Sequence, residues 1–303
     1  MKTTPLFRRV PLVTALLASV AFISEGATLQ LTPSRDTSLM ETVPDNNTGA
    51  MVNLVSGSVA NGKKTRALIR FDVSGALPDG AVIESATLKL TVLKAPPGTV
   101  SPASRFGLHR VLVDWIEGSK GGGNTGGRGT DGEPTWTMRS VGSEPWSGPG
   151  GALDDVEFAS AVSSDIEMDL PGDYTIESTA ALVADVQSWI CRPDSNFGWV
   201  LVSNREEAGA TARRLGSKES TPDQVPTLTL TYSISSPEIR ITKLELNEGS
   251  LVLGWTGNAS EYQLQQRSSI DGPWTDLGAP VGCERTTRIP TSERAAFLRV
   301  VSR

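Results

Sequence analysis

Three tryptophans and four cations carry the most suggestive chemistry in this sequence. Trp115, Trp136 and Trp146 flank or lie within a long stretch without hydrophobic period, and Arg139 stands between the last two. An indole can stack on the apolar C–H face of a sugar ring while polar neighbours bond the hydroxyls. The same ring can equally pin a loop to a core. Arg66, Arg70 and Lys89 project from the polar faces of predicted strands. A guanidinium pairs with a carboxylate through two parallel hydrogen bonds, so these residues could form a strip for uronate carboxylates. The plainer alternative is a solvated face, or ion pairs with Asp72 and Glu84.

Catalytic arrangements are harder to assemble. His109 is the single histidine and falls inside a predicted strand; no Gly-x-Ser-x-Gly elbow accompanies it. Carboxylates abound, as in Asp154-Asp155, Asp165/Glu167/Asp169 and Glu206-Glu207. Glycoside hydrolysis needs two of them at a set separation across a cleft, and sequence gives no separations, so no catalytic residue is named. A lyase would need a Tyr, Arg or Lys cluster, and the tyrosines are Tyr174, Tyr232 and Tyr262. The oxygen-rich segment "PDNNTG" (44–49) could ligate a structural calcium, although no EF-hand loop occurs.

The elements that must position these residues begin after an expected export signal. Residues 1–26 combine Lys2, Arg8 and Arg9 with an apolar run from Val10 to Ile23 and a small-residue exit, which reads as a secretory signal peptide. That run is too short for a membrane span, and no second one follows, so the mature chain is expected not to insert into a membrane. Without residues 1–26 the chain has 25 basic against 33 acidic residues, a net charge of −8. No basic surplus exists to pair with phosphates, so nucleic acid is not an expected partner. The two cysteines, Cys191 and Cys283, are too few for a disulfide framework. Export permits a bond between them, yet they fall in different predicted domains, and the pairing stays open.

Period-two patterning dominates from Ala27 onward. "TRALIRFDV" places Ala67, Ile69 and Phe71 on one face and Arg66, Arg70 and Asp72 on the other. "ESATLKLTV" places Ala86, Leu88, Leu90 and Val92 opposite Ser85, Thr87, Lys89 and Thr91. Further strands are expected at "ATLQLT", "MVNLVS", "LHRVLV", "FGWVLVSN" and "TLTLTY". One segment, "STAALVADVQSWI", has helical spacing and a Ser178 or Thr179 cap. After Pro237 five short strands follow, suggesting a small immunoglobulin-like or fibronectin-like sandwich over 237–303. Its charges balance. Eight of the fifteen residues in Gly118–Gly132 are glycine. If this stretch were a linker, residues 27–114 would fold alone and expose an apolar face. One sandwich with strands from both sides is the economical solution, making 114–160 a long excursion from one domain. Trp189 and Trp199 lie in strongly periodic segments and are expected in the core.

In this order, "RALIRFDVSGALPDGAVIESATLKLTV", "HRVLVDWIEG", "TWTMRSVGSEPWSGPGG", "VADVQSWICRPDSNFGWVLVSN", "LGSKES" and "VPTLTLTY" resemble the DNRLRE-type domain. That family is a secreted bacterial β-sandwich also classed among alginate-binding carbohydrate-binding modules. The resemblance covers roughly residues 28–232. The chain differs at Asn47-Thr48-Gly49 and Leu215-Gly216, where the family pattern carries an aromatic, and its loop before Trp136 is longer. The expected fold is all-β: a jelly-roll-like antiparallel sandwich with one short helix over 27–236, then the small C-terminal sandwich. The resemblance implies a secreted, extracellular or cell-surface, non-catalytic polysaccharide-binding protein, with uronate polymers such as alginate as ligands. The candidate ligand residues are Trp115, Trp136, Arg139, Trp146, Arg66, Arg70 and Lys89. The alternatives are a structural or adhesive module without a sugar site, and a polysaccharide-degrading enzyme.

Overall fold

A computed structural model describes residues 26–78, 80–96, 104–234, 239–247, 250–257, 259, 261–282, 286–290 and 297–302. The expected export signal, apart from Gly26, and Cys283 lie outside the described residues. Strands β1 (Ala27–Leu31), β2 (Arg35–Met40), β3 (Asn46–Asn47), β4 (Asn53–Ser58), β5 (Lys64–Arg70), β6 (Ala81–Lys94) and β7 (Ser104–Val111) precede the glycine-rich excursion. Within it lie the short strands β8 (Gly127–Arg128), β9 (Met138–Ser140) and β10 (Glu144–Pro145). After it come β11 (Phe158–Met168), β12 (Gly172–Ile176), helix α1 (Ala180–Cys191), β13 (Trp199–Ser203), β14 (Arg213–Gly216) and β15 (Thr227–Ile234). The C-terminal strands are β16 (Arg240–Asn247), β17 (Ser250–Thr256), β18 (Tyr262–Arg267), β19 (Thr275–Asp276), β20 (Thr286–Pro290) and β21 (Phe297–Ser302). The protein is all-β with antiparallel sheets and one α-helix among the described residues.

Two sheets face each other across one core. In the first, β6 is central: Leu88 faces Ile176 of β12 on one edge and Leu228 of β15 on the other. β14 continues that second edge beyond β15, while β1 and β4 extend outward. The second sheet runs β2, β5, β13, β7, β11, with Ile69 of β5 between Asp36 and Trp199. Strand β4 joins both: Asn53–Ser56 pair with β14, whereas Gly57 and Ser58 pair with β5. The crossing needs glycine at 57. Its φ is +110°, and a Cβ there would lie 2.8 Å from the Ala212 Cα.

The core draws on both sides of the excursion. Ile69, Leu88, Leu90 and Phe106 from before it pack with Trp199, Leu201, Leu215 and Leu228 from after it. Helix α1 closes the sandwich against β6 and β11. Thr179 caps it by accepting from the Leu182 amide at 3.0 Å, and Leu182, Val186 and Trp189 turn into the core. The Trp189 and Trp199 rings meet at 4.5 Å between centroids. Cys191, the last helical residue, is disulfide-bonded, and the chain contains one further cysteine, Cys283. Strands β16, β17 and β20 form one C-terminal sheet and β19, β18 and β21 another, around Leu253, Trp255, Tyr262, Leu264 and Val300. No helix among the described residues is long and apolar enough to cross a membrane.

The excursion is a third layer. Along β5, Ala67 and Ile69 face the core while Leu68 faces the opposite way, and it too is fully buried. Leu39, Val111, Val200 and Val202 share that outer surface, and Trp115, Trp136, Trp146 and Phe158 cover it. Close approach is built in at Gly150, where a Cβ would stand 2.5 Å from the Trp136 ring. Burial on this scale makes each indole a structural anchor. Trp136→Ala is expected to lower the free energy of unfolding in urea by about 3–5 kcal/mol. A loss of less than about 1 kcal/mol would mark the indole as a surface group.

Candidate functional site

None of the three candidate tryptophans presents a ring to solvent. Trp115, Trp136 and Trp146 are 3%, 5% and 4% exposed. Trp115 Nε1 donates to the Phe197 carbonyl at 2.9 Å, and Trp146 Nε1 to the Thr135 carbonyl at 2.8 Å. They do not form a sugar-stacking platform in this structure, because the apolar outer face of the second sheet claims their rings.

The four candidate cations are each matched to a carboxylate. Arg66 makes a bidentate pair with Glu206 at 2.9 and 2.8 Å, donates to the Gly150 carbonyl, and lies over the Trp136 ring at 5.9 Å. Both partners are largely buried, so this pair positions the excursion. Arg70 lies 3.9 Å from Asp114, and Lys89 lies 3.1 Å from Asp173. Arg139 pairs with Glu144 and donates to the Asp114 carbonyl at 2.8 Å. The expected strip of free cations is therefore not assembled. Asp72 and Glu84, the expected ion-pair partners, are not the ones used; the carboxylates come from distant strands and from the excursion.

Polar clamps hold the excursion where glycine leaves no side chains to pack. Asn47 donates to the Glu117 and Pro134 carbonyls at 2.9 and 3.1 Å and accepts from the Gly49 and Lys120 amides. Asn46 donates to the Thr125 carbonyl at 2.9 Å. Asn46 and Asn47 of "PDNNTG" thus bind the excursion's backbone, while the Thr48 hydroxyl bonds Ser38 of β2. Among the described residues no group of three or more His, Cys, Asp or Glu side chains is placed to hold a metal ion. Glu117 accepts from the Asp36 amide at 2.8 Å and pairs with Lys218 at 2.7 Å, while buried Asp36 accepts from the Lys218 amide at 2.7 Å. Glu133 accepts from the amides and hydroxyls of Ser119 and Thr130, between 2.8 and 3.1 Å.

A groove on the outer surface of the first sheet has free polar groups. Val55 of β4, Arg214 of β14 and Lys94 of β6 form one row across three strands. The groove has a volume of about 310 Å³, and Met40, Val55, Val59 and Ala212 give it apolar walls. Asn124, from the glycine-rich stretch, reaches the same groove. Lys94 and Arg214 stand opposite each other as like charges, an arrangement that costs stability on its own. Neither forms an ion pair or side-chain hydrogen bond among the described residues. An anionic group bound between them would relieve that repulsion, and the apolar walls suit a partner with C–H surface. Lys94 and Arg214 were not singled out by sequence because neither lies in a distinctive motif. Register brings them together: "TLKLTVLK" and "RRLG" pair so that Lys94 meets Arg214, the second residue of the latter.

The clamps predict a pH response. Burial would raise the Glu133 carboxyl, but the hydrogen bonds from Thr130 and Ser119 outweigh it and hold the group below the ordinary carboxylate range. A depressed carboxyl stabilises the fold above its unfolded pKa and loses that contribution as pH falls through the folded one. The stability gap between wild type and Glu133→Gln should therefore shrink on acidification from pH 7 through the carboxylate range, about pH 4.3 for an unperturbed Glu. A gap independent of pH would contradict the clamp. Asp36 has the opposite sign: burial raises its carboxyl well above the ordinary value, so its contribution grows as pH falls.

No protein-family model and no curated protein matches this chain. The chemistry of the groove rests on its own residues.

Proposed function

We propose that this chain is an exported, non-catalytic protein that binds acidic, uronate-bearing polysaccharide, with the groove of Lys94 and Arg214 as its contact. The observation that carries this proposal is the opposed cation pair, without a carboxylate partner among the described residues, set against apolar walls. A uronate residue offers both complements: a carboxylate for the guanidinium and ammonium, and ring C–H groups for Val55, Val59 and Ala212. The resemblance of residues 28–232 to DNRLRE-type alginate-binding sandwiches points to the same ligand class. Asn124 gives the glycine-rich excursion a place at the groove.

The non-catalytic part of the proposal draws on His109. It is buried, with Nδ1 2.9 Å from the Ala159 carbonyl, and burial lowers its pKa. It sits on β7 in the second sheet and is not among the residues that line the groove. A second reading, a structural or adhesive module without a sugar site, is favoured by one observation: the burial of Trp115, Trp136 and Trp146. Without an aromatic platform, affinity at a single groove is modest and gains from tethering near a polymer.

Affinity electrophoresis in gels containing alginate or a neutral glucan separates the two. The wild-type chain should be retarded by alginate alone, with or without chelator. Lys94→Ala combined with Arg214→Ala should weaken that retardation by at least about tenfold, the scale of one lost charge-assisted hydrogen bond. Equal migration of wild type in both gels would favour the structural module.

A further inference from the structure

A second cationic surface lies on the C-terminal strands. Leu264 of β18 and Val300 of β21 face the local core, so alternate residues turn the other way. That opposite face carries Gln265 and Arg267 on β18, Phe297 and Arg299 on β21, and Trp274 just ahead of β19. Gln265 stands opposite Arg299, and Arg267 opposite Phe297. The Arg299 and Arg267 guanidinium carbons lie 4.4 and 4.5 Å from the Trp274 ring centroid. Arg267 is also 5.3 Å from the Phe297 ring. The four side chains form one row of alternating cation and aromatic.

This row is ordered, and among the described residues Arg299 Nε is the one guanidinium donor in it with a hydrogen-bond partner. Stacking on a ring restrains a guanidinium while leaving its N–H edge free in the plane. Gln265 fixes Arg299 by accepting from its Nε at 2.8 Å, and binds Asp276 through its own amide at 2.8 Å. Neither arginine forms an ion pair among the described residues, and Arg267 Nε is buried without an acceptor. Phe297, 43% exposed, adds an apolar surface beside the two forks.

We propose that this face is a second anion-binding site, and that it takes a polyuronate strand. The two guanidiniums pair with carboxylates, and Phe297 meets a ring's C–H face. The same ligand class is proposed for the groove, but this site stands on separate residues. Charge density favours a polyuronate over a nucleic acid: without residues 1–26 the chain carries a net charge of −8, which opposes a dense polyphosphate. In a uronate polymer the carboxylates are spaced by rings whose apolar faces suit Phe297. Two sites on one chain would also raise retention on a polymer through effective concentration.

Affinity electrophoresis of the full chain in alginate and dextran gels tests this. Arg267→Gln with Arg299→Gln keeps stems that cover Trp274 and removes the charge. It should weaken retardation by alginate about tenfold and leave migration in dextran unchanged. Arg267→Lys with Arg299→Lys keeps charge and packing but loses the fork, and should fall between. It tests the site even if the glutamine pair loosens the sheet. Wild-type retardation of either double variant would overturn the proposal. The Lys94/Arg214 double variant in the same gels keeps the two sites apart. A loss there alone removes this site and leaves the groove; a loss at Arg267/Arg299 alone does the reverse.

Discussion

A sheet that is apolar on both faces needs two covers. In the second sheet, "ALI" on β5 and "WVLV" on β13 run without a polar interruption, so Leu68, Val200 and Val202 point away from the core shared with the first sheet. Left in water, that surface would be a large exposed apolar patch. The excursion supplies the missing layer, and its tryptophans are large because few residues must cover several strands. The long loop is integral to the fold for this reason, and its composition follows. Bulky anchors touch the sheet, and the chain between them is glycine-rich where it must pass close to other backbone. The Asn47 turn is one such place: a Cβ at Gly118 or Gly126 would collide with it.

The same constraint decides which charges are free. Wherever the excursion meets the sheet, cations beside the aromatic layer lose solvent and are stable only with a partner. Arg66 finds Glu206 and two carbonyls, and Arg139 finds Glu144. Glu117, Glu133 and Asn47 perform the complementary task of satisfying backbone amides and carbonyls that no strand ladder reaches. Lys94 and Arg214 escape this because they lie on the outer surface of the first sheet. In that sheet β6 and β15 alternate between buried aliphatics and outward, more polar residues, whereas β4 is buried throughout.

Much of the architecture is legible in the chain. Alternation over 84–92 sets the faces of β6 correctly, the Thr179 cap and the Leu182/Val186/Trp189 spacing mark the helix, and all five expected C-terminal strands are present. The misses have physical causes. Strand β2, "RDTSLM", buries Asp36, Thr37 and Ser38, whose side chains are satisfied by Thr48 and by the amides of Lys218 and Val55, so it carries no apolar alternation. In β11, Ser163 and Ser164 bond Asp185 within the helix and the Glu177 carbonyl ahead of it, in place of aliphatic packing. Residue type marks the candidate cations in the sequence, and type alone does not separate a paired arginine from an unpaired one. Arg66 and Arg214 look alike in sequence; only the carboxylate 140 positions from Arg66 distinguishes them.

Hydrogen exchange tests the central claim, that the excursion is a folded layer, most directly. The amides of Gly129, Glu133, Thr135, Val141 and Gly150 all donate to backbone carbonyls within or beneath the excursion. In the full chain at neutral pH these should be protected, exchanging orders of magnitude more slowly than an unstructured peptide. Exchange at the unstructured rate between Gly118 and Gly151, with the strands protected, would show a mobile linker and contradict the three-layer account.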